Sequence, residues 1–221
     1  MDERRLPGEA PAALVLRLAE AKARACADPA HPDFIYIGAD TDVVDGDDIL
    51  GKPRDAAEAA EVLRRLRGRT HQVYSGVAIY TRSNDMRLAE LNNDLRRSDN
   101  NDSSRSGSND LSRYYGSLVT DLCVTDVPMR KYSDEEIEAY AASGDPLDKA
   151  GAYAIQHAGF HPVDGLSGCY ASVMGLPLCH LTRSLRKLGV EPETDIAAEC
   201  QAALSYDCPV SAAILRGEMV G

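Results

Sequence analysis

Apolar positions along the chain fall into helical stripes that alternate with short strand-like runs. Over 11–27, Leu14, Leu18, Ala21 and Ala25 recur at helical spacing, which predicts a first helix with one buried stripe. Phe34-Ile35-Tyr36-Ile37 is an aromatic and β-branched run, read as a buried strand ending in a tight turn at Gly38-Ala39-Asp40-Thr41. That reading puts Asp40 at the strand's carboxyl end, behind two small residues that let a ligand approach the backbone. Asp55-x-x-Glu58 has capping-box spacing; Ala59, Val62, Leu63 and Leu66 then share a face, and Gly68 stops the helix. A strand follows over 72–80, with Val73, Val77 and Ile79 as its apolar members.

The pattern then breaks. The run SDNNDSSRSGSND over 98–110 holds no apolar side chain, so no burial there offsets the entropy of ordering it. Residues 83–113 are expected to form a solvated, disordered insertion with at most a frayed helical turn over 86–95. Strand-like sequence resumes over 117–130, which makes the insertion an enlarged hairpin loop rather than a domain boundary. Ser133-x-x-Glu136 opens another helix, with Ile137 and Tyr140 on one face and Gly144 at its end. Leu178, Leu181, Leu185 and Leu188 mark a last strong helix that stops at Gly189. The alternation predicts an α/β domain over 1–190. Residues 191–221 read as an Ala-rich extension without an assigned role, and no internal repeat is visible.

Charge excludes some functions. The chain carries 24 Lys and Arg against 35 Asp and Glu, a formal net charge of −11, which argues against a nucleic-acid partner that needs a basic footprint. No stretch approaches the ~18 apolar residues of a membrane span. Met1 is followed by Asp-Glu-Arg-Arg rather than an apolar signal core, so a soluble, cytoplasmic protein is expected. Cysteines stand at 26, 123, 169, 179, 200 and 208 with no Cys-x-x-Cys pair or zinc pattern, and read as reduced, mostly core residues. His157 and His161 are four apart, but Gly159 and Pro162 argue against a helix that would bring them together, and they receive no metal role.

Candidate chemistry centres on Asp40, whose carboxylate suits a divalent metal or an attacking water; the commoner fate of an isolated Asp at a strand end is a turn or capping bond. Lys22 and Lys52, with Lys149 as a third, suit a polyphosphate, although solvation alone is the ordinary fate of a single Lys. No Walker or Rossmann glycine motif is present.

Seven blocks taken together go further. LAEAKA (18–23), IGADT (37–41), ILGKPRD (49–55), L-x-G-R-T-H-Q-V-Y-S-G-V (66–77), SDEEIEAY (133–140), DKAGAYAIQ (148–156) and GLPL (175–178) resemble, in order and spacing, the Maf family of nucleoside triphosphate pyrophosphatases. The resemblance implies a Maf/inosine-triphosphatase-like fold: a mixed twisted sheet flanked by helices. It further implies hydrolysis between the α and β phosphates with a divalent cation, Mg²⁺ or Mn²⁺, in a homodimer. On it, Asp40 is the general base or metal-anchored carboxylate, Glu3 helps hold the metal, and Lys22 and Lys52 stabilise the phosphates. The DKAGAY…IQ signature resembles the branch that prefers dTTP and UTP over the one acting on 7-methyl-GTP, with Thr41 and Gln156 at positions linked to base choice. Tyr153 is open to two readings, packing on base or sugar, or plain core. Cys169-Tyr170-Ala171-Ser172 departs from the family's Gly-Ser-Tyr-x-Asn wording, and a packing change is expected there.

The amino end departs more. Family members begin with a strand and a Ser-Pro-Arg-Arg turn leading into a helix, whereas this sequence starts at Met1-Asp2-Glu3, where the family's acidic pair falls. The expectation is a sheet without its first strand and helix, and a pocket without one wall. An alternative function therefore accompanies the enzyme: a catalytically silent nucleotide-binding or regulatory protein that kept the scaffold.

Overall fold

The computed structural model describes residues 3–82, 116–218 and 220. The predicted insertion at 83–113 lies outside the described residues. Four strands, β1 (Ile35–Asp45), β2 (Asp48–Leu50), β3 (Thr70–Thr81) and β4 (Ser117–Pro128), form one sheet in the order β2-β1-β3-β4. Every pairing among them is antiparallel, so no parallel pair of a mixed sheet occurs among the described residues. β3 and β4 pair from Thr70↔Pro128 to Thr81↔Ser117, which makes them adjacent hairpin partners, as the resumed strand pattern predicts.

β1 corrects the sequence reading. It does not end at Ile37 but runs through Asp45, so Asp40 stands mid-strand opposite Gly76 rather than at a carboxyl end. The small residues there serve helix packing. A Cβ on Gly38 would lie 2.1 Å from the Ala19 carbonyl oxygen, and one on Gly76 2.7 Å from that of Val15. Helix α1 (Pro11–Ala25) is thus pressed onto β1 and β3 at a distance only glycine permits. Its buried face is Leu14, Val15, Leu18, Ala19 and Ala23, rotated from the predicted stripe: Ala21 is half-buried and Ala25 exposed.

Helix α2 (Ala56–Leu66) starts where predicted. Asp55 accepts from the Glu58 amide at 2.9 Å, but Glu58 reaches back to the Arg54 amide rather than to that of Asp55, a one-residue slip of the capping box. Helix α3 (Asp134–Ala142) carries the complete box at Ser133 and Glu136. These two helices cover the main core, in which Leu63, Leu66, Val73, Val127, Ile137 and Tyr132 are fully buried. Tyr132 satisfies its hydroxyl on the Leu63 carbonyl at 2.8 Å.

Two turns of 3₁₀ helix (Asp145–Asp148 and Ala150–Ala152) lead to the short α4 (Tyr170–Val173) and to α5 (Leu178–Lys187). α6 (Ile196–Leu204) and α7 (Ser211–Leu215) form the carboxyl-terminal extension, which packs on α5. No helix among the described residues is long and apolar enough to cross a membrane.

Candidate active site

Because α1 lies so close to β1, the Lys22 ammonium reaches the Asp40 carboxylate, Nζ to Oδ1 2.5 Å, with Glu3 Oε1 3.7 Å from the same nitrogen. Partial burial disfavours the Lys22 charge, but the hydrogen bond to Asp40, with Asp40 and Glu3 nearby, outweighs it and raises the group above the ordinary lysine range. Asp40 spends only Oδ1; Oδ2 makes no hydrogen bond among the described residues.

Asp40, Lys22 and Glu3 line a cleft of about 620 Å³ that Thr41, Asp42 and Lys52 also border. Thr41, Lys52, Ala150 and Gly175 are shared with a second lobe of about 260 Å³, bordered further by Lys149, Tyr153 and Gln156. All seven residues singled out by sequence, Glu3, Lys22, Asp40, Thr41, Lys52, Lys149 and Gln156, therefore face one two-lobed cleft.

Their settings differ. Lys52 and Gln156 are exposed on the rim. Lys149 is tied down, donating to the Asp145 carbonyl at 2.7 Å and to the carboxylates of Asp145 and Asp148. Thr41 Oγ1 lies 2.7 Å from Ser75 Oγ, which gives its own proton to the Ser172 carbonyl at 2.8 Å. Thr41 must then be the donor to Ser75, and its oxygen keeps only acceptor capacity toward the cleft. The Gly151 amide donates to the Gly51 carbonyl, pinning the 148–156 loop to the loop that carries Lys52. Gly151 has φ +70°, and a Cβ there would lie 2.8 Å from Val43, so glycine is required at this contact.

Tyr153 is core: 6% exposed, it packs its ring edge on His71 and bonds Nε2 at 2.8 Å through its hydroxyl. Burial pushes His71 down to about 4, so the imidazole is neutral.

The sequence reading missed Asp42. It follows Asp40 at the two-residue strand period, so both carboxylates share a face of β1, and burial with the charge of Asp40 raises its carboxyl to about 6. Reading β1 to its true end would have found it. Arg5 on the same cleft had no sequence signal.

These oxygen donors suit a hard divalent cation, and the elevated Asp42 carboxyl marks negative charge that such a cation would offset. No group of three or more His, Cys, Asp or Glu among the described residues stands close enough to hold an ion by itself. A cation here would need substrate oxygens and water to complete its shell, as Mg²⁺ commonly does.

A family model described as Maf-like protein matches residues 1–188. The dTTP/UTP pyrophosphatase of Geobacter sulfurreducens is 38% identical over 85% of this chain and 81% of that protein. That of Citrifermentans bemidjiense is 40% identical over 86% and 81%, and that of Escherichia coli O157:H7 40% over 80% and 74%. With the family model spanning both lobes of the cleft and relatives of this identity over most of their length, the chain belongs to the Maf-like protein family.

Proposed function

We propose that the chain is a nucleoside triphosphate pyrophosphatase that converts dTTP and UTP to the monophosphate and pyrophosphate. One observation carries this reading: a Lys–Asp pair with a spare carboxylate oxygen sits in a cleft whose neighbouring lobe offers acceptor and amide groups. The names of the relatives above support the substrate class.

The acidic lobe takes the triphosphate and the second lobe the nucleoside. Lys22 holds Oδ1 of Asp40 in an ion pair. An arriving phosphate competes for that ammonium; as Lys22 turns to it, Asp40 is released to accept the proton of the attacking water. Lys52, exposed on the rim shared by both lobes, meets charge developing on the departing pyrophosphate. Asp40 and Glu3, with Asp42 beside them, would hold a divalent cation, Mg²⁺ or Mn²⁺, which when bound neutralises phosphate oxygens. Thr41 can only accept, which suits the ring N–H of uracil or thymine. The Gln156 amide can donate and accept, and Lys149 borders the same lobe.

The test is pyrophosphate release from dTTP, UTP, CTP, GTP, ATP and 7-methyl-GTP with Mg²⁺ or Mn²⁺, with Asp40→Asn as control. Turnover of dTTP or UTP that vanishes in the variant supports the reading. Thermal stabilisation by nucleotide without turnover of any substrate would overturn it in favour of a silent binding protein.

A further inference from the structure

Ser75 on β3 stands directly opposite Thr41 and is 0% exposed, so it meets neither solvent nor a ligand in the cleft. Its hydroxyl oxygen lies 2.7 Å from Thr41 Oγ1 and 2.8 Å from the Ser172 carbonyl oxygen. A carbonyl can only accept. Unless Ser75 gives its single proton to Ser172, two bare oxygens face each other at 2.8 Å in a dry site, which is repulsive. The same carbonyl accepts from the Gly175 amide at 2.9 Å, so both of its lone pairs are spent and its direction is fixed. The protons therefore run one way, from Thr41 to Ser75 to Ser172.

At the other end of this chain Thr41 Oγ1 has no further hydrogen bond among the described residues, and Thr41 borders both lobes of the cleft. Gly175, with φ +110°, stands over it: a Cβ there would lie 3.8 Å from Oγ1, in contact, so the glycine leaves the oxygen uncovered.

We propose that Ser75 is a positioning residue for base choice: by taking the Thr41 proton it makes Thr41 a fixed acceptor, which selects a pyrimidine whose ring nitrogen N3 carries a proton. The inference rests on the nucleotide reading above and assigns the choice between bases to an atom that no base touches. Uracil and thymine offer N3–H to the acceptor. Cytosine offers a bare N3, so two lone pairs meet and neither is satisfied. A threonine with a free hydroxyl turns its proton toward or away from the ligand and serves both bases. The discrimination thus belongs to Ser75 acting through Thr41, and Thr41 alone does not supply it.

The experiment is calorimetric binding of the α,β-methylene analogues of UTP and CTP, with Mg²⁺, to the full chain and its variants. The parent chain should prefer the UTP analogue by about tenfold or more. In Ser75→Ala that ratio should fall by about tenfold, chiefly through tighter binding of the CTP analogue, a gain that a damaged site does not produce. Ser75→Thr should restore the preference, and in a Thr41→Val background Ser75→Ala should change the ratio no further. Ser75→Cys, similar in shape but a weak hydrogen bonder, should behave as Ser75→Ala and serves if the alanine variant fails to fold. A ratio unchanged in Ser75→Ala or Ser75→Cys, equal weakening of both analogues, or a parent chain without preference would overturn the proposal. Turnover of UTP is measured beside it: loss of base preference with turnover intact overturns this inference alone, whereas selective binding without turnover overturns only the pyrophosphatase reading. Binding of neither analogue would overturn both.

Discussion

Two carboxylates on the same sheet have opposite fates. Asp121 on β4 takes a bidentate grip from Arg183, Oδ2 to Nε 2.8 Å and Oδ1 to Nη2 2.6 Å, and accepts further from Ser184 and the Leu122 amide. Arg183 spends its remaining nitrogen on the carbonyls of Ile214 and Glu218, so the pair is closed and anchors α7 to the sheet. Asp40 on β1 takes one bond from a flexible lysine and keeps an oxygen to spare. The Arg183 and Asp121 side chains are 9% and 7% exposed, against 34% for Lys22. A pair with every valence spent holds structure; one that leaves a valence open at a cleft can exchange partners, which is what a substrate requires.

The sharpest way to break this comparison is Asp40→Asn. Turnover of dTTP should fall by about 10²–10⁴-fold, while the melting temperature stays level or rises, because a charge facing Asp42 is removed. Steady-state kinetics beside a thermal melt would show it, and a variant that melts early yet turns over normally would invert the two roles. Next is Arg183→Ala, which strands Asp121 in the interior. A loss of about 3–5 kcal/mol is expected in urea unfolding; retention of full stability would mean that the closed pair does not anchor α7.

His71 offers a buried polar contact belonging to neither pair. Its folded value near 4 lies below the unfolded 6.5, so between those pH values the unfolded chain binds a proton that the native one refuses. Its contribution is therefore present above pH 6.5 and is lost on acidification, by up to roughly 3 kcal/mol at pH 4. Urea midpoints measured from pH 7 to 4 should fall less steeply in His71→Gln than in the parent chain. The smallest effect is on stability in Lys22→Met: a partly exposed pair should be worth within about 1 kcal/mol. Its kinetics, by contrast, should show a raised KM for the triphosphate, and a large stability loss would move this pair into the class of Arg183–Asp121.

Local rules made much of the fold legible in sequence. The capping residues Asp55 and Ser133 mark helix starts because a side-chain oxygen must satisfy amides within three residues, and Gly144 ends α3 in a left-handed turn. The α1 stripe was harder. Helical periodicity finds the large side chains, but Ala19 and Ala23 are buried because the helix backbone rides on Gly38 and Gly76, residues distant in sequence. Asp42 was hidden for a related reason: polar residues at alternate positions of β1 resemble a turn until it is known that one side of the strand faces a cleft.

The sequence by itself determined the α/β alternation, the family resemblance and the seven residues of the cleft, because block order and short-range spacing are written along the chain. Tertiary structure alone decided what they touch, Lys22 on Asp40 and Thr41 relayed through Ser75 to Ser172, and it turned Tyr153 into the core against His71. The physical reason is that such contacts join residues far apart in the chain, and cross-strand register and close helix packing, which periodicity does not encode, choose the partners.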